Sequence, residues 1–244
     1  TYTYTITETN TAATGWTFDT ADKTVTVEVT DDGEGHLKAA VTGATIKNSY
    51  KAIPVNVDTD EPEGDYVSGT PFVTKTVEGE GFNSTEFTFT MTDEDGNVTD
   101  GTVTADEAGE YAIDFGTIRY SAVGEYTYTV QETNTAADGW KFDTEAKTVT
   151  VTVTDDGEGH LVADVEGVTI TNSYEAIPVD VDTEEPEGDY VSGDPFATKT
   201  VSGTGFKSTD FTFTMTDEDG NVTEGTVTAT AAGDYAIDFG TIRY

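Results

Sequence analysis

Three polar residues stand where the alternation of their strands calls for apolar ones. In Val73-Thr-Lys75-Thr-Val77 the lysine shares a face with two valines. In Tyr126-Thr-Tyr128-Thr-Val130-Gln-Glu132 the glutamate ends the apolar face, and in Val168-Thr-Ile170-Thr-Asn172-Ser-Tyr174 the asparagine falls on it. Successive side chains of a strand point to opposite sides, so all three are expected to face inward. Burying an ammonium, a carboxylate and a carboxamide without partners costs several kcal/mol each.

Two arrangements relieve that cost. One is an inert Lys–Glu ion pair with the asparagine as a hydrogen-bond partner. The other is reaction. Burial disfavours charge on an amine and on a carboxyl group alike, so such a pair can exist as free amine and neutral acid. The amine is then a nucleophile. The acid can polarise the carboxamide and shuttle protons while ammonia departs. Contact between amine and carboxamide supplies the proximity that replaces an external catalyst. The product of that second arrangement is a Lys–Asn isopeptide crosslink.

The pattern recurs. Glu8-Thr-Asn-Thr-Ala-Ala returns at Glu132, Asn48-Ser-Tyr at Asn172, Glu61-Pro-Glu-Gly-Asp-Tyr-Val-Ser-Gly at Glu185 and Phe115-Gly-Thr-Ile-Arg-Tyr at Phe239, every offset being 124 residues. Only two lysine pairs are matched at that offset, Lys75 with Lys199 and Lys23 with Lys147. Lys147 follows Asp143-Thr-Glu-Ala at the start of a strand and reads as a solvated turn lysine. Lys199 has no Glu and Asn downstream, and Glu8 with Asn48 has no Lys upstream. These half-triads require a neighbouring repeat or a second chain to complete them.

The elements that must position these residues are strands. Period-two runs mark Phe72–Val77, Glu86–Thr92, Val98–Thr104, Tyr111–Ile118, Glu125–Glu132, Thr148–Thr154, Leu161–Val165 and Val168–Tyr174. Turn residues separate them at Asp95-Gly-Asn97, Ala108-Gly-Glu110 and Asp155-Asp-Gly-Glu-Gly159. No amphipathic helix is legible. The expected fold is all-β: tandem antiparallel immunoglobulin-like β-sandwich domains. The segments 51–69 and 175–193 read as connectors, 70–174 as a complete repeat domain, 1–50 as the C-terminal half of one and 194–244 as the N-terminal half of another. Ile177, Val179 and Val181 alternate, so a connector strand could dock on a neighbour. The halves fit either a window on a longer tandem array or a head-to-tail polymer, and both make a fibre.

Composition narrows the function. The 244 residues carry 48 acidic side chains against 11 basic ones, a formal charge of −37. Such a polyanion repels nucleic acid and anionic lipid. Its aromatic content of 11% and its ordered alternation argue against disorder. Cysteine is absent, so any covalent reinforcement must be something other than a disulfide. No signal-peptide pattern, apolar run of membrane-spanning length or sorting motif is legible.

The series Phe72-Val-Thr-Lys75-Thr-Val, Phe87-Thr-Phe-Thr-Met, Gly124-Glu-Tyr-Thr-Tyr-Thr-Val-Gln-Glu132, Thr148-Val-Thr-Val-Thr-Val and Ile170-Thr-Asn172-Ser-Tyr resembles the isopeptide-linkage domain of Gram-positive backbone pilins and surface adhesins. The resemblance covers the complete domain and both halves, leaving the connectors outside. It implies a bond from the lysine of the first strand to the asparagine of the last, catalysed by the glutamate: Lys75, Asn172 and Glu132. It also implies an extracellular fibre, pilus or stalk on a Gram-positive cell wall, built of adjacent copies of the repeat. Such a protein is no enzyme beyond one self-directed turnover, and it needs no cofactor.

Other signals read as structure. Asp93-Glu-Asp-Gly-Asn, repeated at Asp217, faintly suggests a calcium loop but lacks the alternating oxygens and the downstream bidentate Glu. It is expected to be a hairpin turn, with weak Ca2+ binding at most and no dedicated metal site. His36 and His160 stand singly and read as solvated; Trp16 and Trp140 read as core or rim packing. Two rival functions stay open: an adhesin repeat that binds a glycan or matrix protein through exposed aromatics, and an acidic surface repeat without crosslinks.

Overall fold

A computed structural model describes all 244 residues. It is all-β and divides into two compact units, Thr1–Glu175 and Ala176–Tyr244.

The first unit begins with β1 (Tyr2–Ile6), β2 (Trp16–Thr17), β3 (Lys23–Asp31), β4 (Leu37–Thr42) and β5 (Ser49–Tyr50). β1, β3 and β4 form one antiparallel sheet, and β2 pairs with β5. Next come β6 (Val55–Asp58), β7 (Val67–Gly69), β8 (Val73–Glu78), β9 (Thr85–Thr92), β10 (Val98–Ala105) and β11 (Gly109–Ala112). The unit closes with β12 (Thr117–Tyr120), β13 (Gly124–Glu132), β14 (Trp140–Lys141), β15 (Lys147–Asp155), β16 (Leu161–Glu166) and β17 (Val168–Tyr174).

The complete domain is a sandwich. One sheet has the order β10-β9-β13-β15-β16-β7 and the facing sheet the order β11-β8-β17-β14. The alternation of Thr with Val, Tyr and Phe produces this arrangement directly. In β15 the valines at 149, 151 and 153 are buried while Thr152 and Thr154 face water. Phe87, Phe89 and Met91 of β9, Val130 of β13 and Leu161, Ala163 and Val165 of β16 meet Val73 and Val77 of β8 and Ile170 of β17 in one core. Each of these side chains larger than alanine contributes about 1.5–3 kcal/mol by leaving water.

Most pairings are antiparallel. The exceptions are β16 with β7 and, centrally, β17 with β8. β8 and β17 lie at opposite ends of the domain's sequence and no hairpin joins them, so nothing forces them to run antiparallel. Their close approach depends on glycines. A Cβ on Gly79, at φ +100°, would stand 2.1 Å from the Tyr174 carbonyl oxygen, and one on Gly167 would stand 1.8 Å from that of Pro71.

One feature departs from the sequence expectations, and a segment read as a connector carries strands of its own. The Tyr111–Ile118 run is two strands, β11 and β12, because the chain breaks at Ile113–Gly116 and the Phe115 N–H turns to the Thr59 hydroxyl at 2.8 Å. The segment 51–69, expected to connect, supplies β6 and β7. β6 pairs with β12, and Ala52, Val55, Val57 and Thr59 are buried in the domain. The alternation of apolar residues in Val55-Asn-Val57 explains this, since half-buried strands need only that pattern.

The second unit contains β18 (Asp180–Asp182), β19 (Thr198–Val201), β20 (Thr209–Thr216), β21 (Val222–Ala229), β22 (Gly233–Ala236) and β23 (Thr241–Arg243). They pair antiparallel as β18–β23, β19–β22 and β20–β21. Val227, Ala229 and Ile237 are its buried apolar side chains.

Candidate functional site: a buried Lys–Glu–Asn cluster

Lys75 on β8, Glu132 at the end of β13 and Asn172 on β17 are all closed to solvent. The lysine and asparagine come from one sheet and the glutamate from the other. In the parallel β8–β17 pair Lys75 lies opposite Ile170, which places Asn172 two residues further along the same face. Glu132 bridges them: Lys75 Nζ donates to its Oε2 at 2.8 Å, and Asn172 Nδ2 donates to its Oε1 at 2.7 Å.

The surroundings of the lysine are poor in acceptors. An ammonium has three donors, yet Glu132 is the one hydrogen-bond acceptor Nζ meets. Nζ otherwise stands 4.7 Å from the ring centre of Phe87 and 5.8 Å from that of Phe89. Desolvation lowers the Lys75 pKa from its ordinary value, opposed in part by the hydrogen bond and charge of Glu132. A buried amine with a lowered pKa, one proton-accepting neighbour and an adjacent carboxamide has the parts that acyl transfer requires.

Residues 1–50 and 194–244 each repeat a portion of this. Asn48 Nδ2 donates to Glu8 Oε1 at 2.8 Å, as Asn172 does to Glu132. Glu8 Oε2, the atom that corresponds to the lysine acceptor, is buried and has no hydrogen-bond partner. In the second unit Lys199 Nζ lies 4.7 Å from the ring centre of Phe211, the same distance that separates Lys75 from Phe87.

Sequence reasoning gave no part to Asp143, whose backbone N–H donates to Asn172 Oδ1 at 2.9 Å. Burial of Asn172 implied a partner for its carbonyl, but periodicity could not say that a loop would provide it. Lys147 is not a free turn lysine; its side chain is three-quarters covered and pairs with Asp143 at 3.3 Å and Glu145 at 2.8 Å. His160 is half-buried, stacked on Tyr66 with ring centres 4.3 Å apart and paired with Asp156, whereas His36 is exposed as expected. The Asp93 carboxylate accepts from the N–H groups of Asp95 and Asn97 and closes the β9–β10 hairpin. Trp140 packs against Phe82, Phe87 and Tyr174.

The family model for the FctA domain, described as a Spy0128-like isopeptide-containing domain, matches residues 1–51 and 71–175. No curated protein matches the chain. Solved structures similar to it include the major pilin of Streptococcus pyogenes, at 15% identity, 80% coverage of this chain, 75% of that one and a TM-score of 0.33. The T-13 major pilin protein of the same species has 16% identity, coverages of 79% and 75% and a TM-score of 0.35.

Proposed function

The chain belongs to the FctA family of Spy0128-like isopeptide-containing domains, and on that premise we propose that it is a segment of a Gram-positive surface fibre, a pilus or stalk, whose repeats lock themselves with Lys–Asn isopeptide bonds. The observation that carries the reading is the buried bridge from Lys75 through Glu132 to Asn172, with both contacts below 3 Å.

In the proposed reaction the neutral Lys75 amine attacks Asn172 Cγ, forming the Nζ–Cγ bond while the carbonyl π pair moves onto Oδ1. Glu132 takes a proton from Nζ and delivers one to Nδ2. The oxygen lone pair then re-forms the carbonyl as the Cγ–Nδ2 bond breaks, and ammonia leaves. Glu132 ends as it began. The chemistry runs once per domain, so the protein is a substrate of its own fold rather than an enzyme with turnover, and no cofactor takes part.

The uncovered faces of the half-domains fit a partner that is a further copy of the repeat. Tyr2 and Tyr4 are 59% and 55% exposed, whereas Tyr128, which corresponds to Tyr4 in the repeat, is 7% exposed inside the complete domain. The exposed aromatics of β1 thus match a core face, which weighs against the adhesin reading that treats them as a ligand platform. A front half equivalent to 194–244 would bring a lysine in the role of Lys199 to the unpartnered Glu8 Oε2 and Asn48. A fibre of this kind is extracellular, and no helix of the chain is long and apolar enough to cross a membrane.

The test is intact mass under denaturing conditions. The unaltered protein is expected to be short by one ammonia for its complete domain, and Lys75→Ala to abolish that deficit. A full, uncondensed mass in the unaltered folded protein would sink the proposal.

A further inference from the structure

The carboxamide of Asn172 has two ends, and the reaction just described engages Glu132 at only one of them. The other end, Oδ1, already faces the backbone N–H of Asp143 at 2.9 Å. If Lys75 attacks Cγ, the inference resting on that reading, the electron pair displaced from the carbonyl collects on Oδ1. A fixed donor in a dry site is worth most where charge develops in this way.

The Asp143 N–H belongs to no strand ladder, because β14 ends at Lys141 and β15 starts at Lys147. Its own side chain holds it in place. One carboxylate oxygen accepts from the Glu145 N–H at 3.1 Å, closing the turn, and the other pairs with Lys147 Nζ at 3.3 Å. Lys147 opens β15 and is registered against Val130 on β13, two residues from Glu132. The lysine therefore ties the loop that carries the donor to the strand pair that carries the proton shuttle. Contacts with Glu145 and Asp143 raise its pKa above the ordinary value, so it stays charged for this purpose.

The same assembly recurs around Asn48, where no lysine nucleophile is present. Asp19 N–H donates to Asn48 Oδ1 at 3.0 Å, and Lys23 Nζ pairs with Asp19 at 2.7 Å. The arrangement is thus built around the asparagine and does not depend on the Lys75 contact. It also accounts for the second lysine pair matched at the repeat offset.

We propose that the Asp143 backbone N–H is the oxyanion donor of the crosslinking reaction, and that Lys147, acting through the Asp143 carboxylate, is the positioning residue that aims it. By repeat, Asp19 and Lys23 have these parts for Asn48.

The experiment times crosslinking in cell-free synthesis of the full chain, quenched in denaturant, scoring by intact mass the fraction of chains that has lost ammonia. Rates are taken on the protease-resistant, folded fraction, so a loss of folding does not register as a loss of rate. Asp143→Pro removes the N–H and is expected to slow crosslinking about 10²–10³-fold. Replacing the residue by its α-hydroxy acid analogue deletes the same N–H while keeping the side chain, and should slow it equally. Lys147→Met should slow it by up to about 10²-fold, and Lys147→Arg should restore most of the rate. Wild-type rates in the folded ester and Lys147→Met variants would overturn the proposal while leaving the isopeptide reading intact. An unaltered protein that never loses ammonia would overturn both.

Discussion

Lys75 and Asn172 occupy neighbouring parallel strands at the middle of the four-stranded sheet, offset by two residues on the same inward face. One is the first long strand of the sandwich and the other is its last. A covalent link between them would carry tension from one to the other without unzipping the sandwich in between. It would close a loop of about 97 residues, worth roughly 4.7 kcal/mol if an amide link acts like a disulfide on the unfolded chain. Unlike a disulfide it would not be reducible, which suits a chain without cysteine.

Glu132 is the partner of both other groups, so its removal should be costly twice over. Glu132→Ala is expected to stop the loss of ammonia and to leave a buried amine unpaired. The resulting domain should be about 1–3 kcal/mol less stable than an uncrosslinked domain that retains the pair, such as Asn172→Ala. Urea unfolding of the two variants side by side measures the difference; equal midpoints would remove Glu132 from the account.

The parallel strand pair needs its glycines. Gly79 has φ of +100° and no room for a Cβ against the Tyr174 carbonyl oxygen. Gly79→Ala should cost about 1–3 kcal/mol from backbone strain alone, before the steric clash. Thermal melts read it, and Gly81→Ala makes a useful comparison: φ there is +82°, but nothing lies near the added carbon. The excess loss at Gly79 over Gly81 reports the close approach.

Alkaline pH should find the buried tyrosines. Tyr120 and Tyr128 share a hydrogen bond of 2.9 Å in the core, and desolvation raises the pKa of both. A phenol with a folded pKa above its unfolded one adds stability that is full below about pH 10 and is lost as pH rises further, because the folded state then holds more protons. Tyrosinate absorbance is expected to show these two ionising only together with unfolding. Their ionisation in a chain that stays folded would contradict this.

The unpartnered Glu8 and Lys199 give a prediction about assembly. Glu8 Oε2 has no partner, and Lys199 stands over Phe211 as Lys75 does over Phe87. Concentrated protein is expected to form species that survive boiling in detergent, with Lys199→Ala and Asn48→Ala each preventing them. Persistence of such species in both variants would mean that another contact joins the chains.

Much of the site was legible because burial and alternation are both local. Lys75, Glu132 and Asn172 each broke the pattern of an otherwise apolar strand face, and the fold brings those faces together. The strand positions followed from Thr–Val alternation for the same reason. What alternation could not show was pairing across long separations. β6 lies in a stretch that reads as a connector through its acidic Glu61-Pro-Glu-Gly-Asp turn, and its partner, β12, is about 60 residues away. The Asp143 N–H was invisible because a backbone donor has no residue type to mark it, and Lys147 looked solvated because its partners sit in the preceding turn.

The most direct measurement is peptide mapping of the denatured, protease-digested chain by tandem mass spectrometry. The expected product is a branched peptide in which the Lys75 side chain is joined to that of Asn172 with one ammonia missing, and no linear peptide ending at Lys75. Recovery of Lys75 and Asn172 in separate, unmodified peptides from folded protein would contradict it.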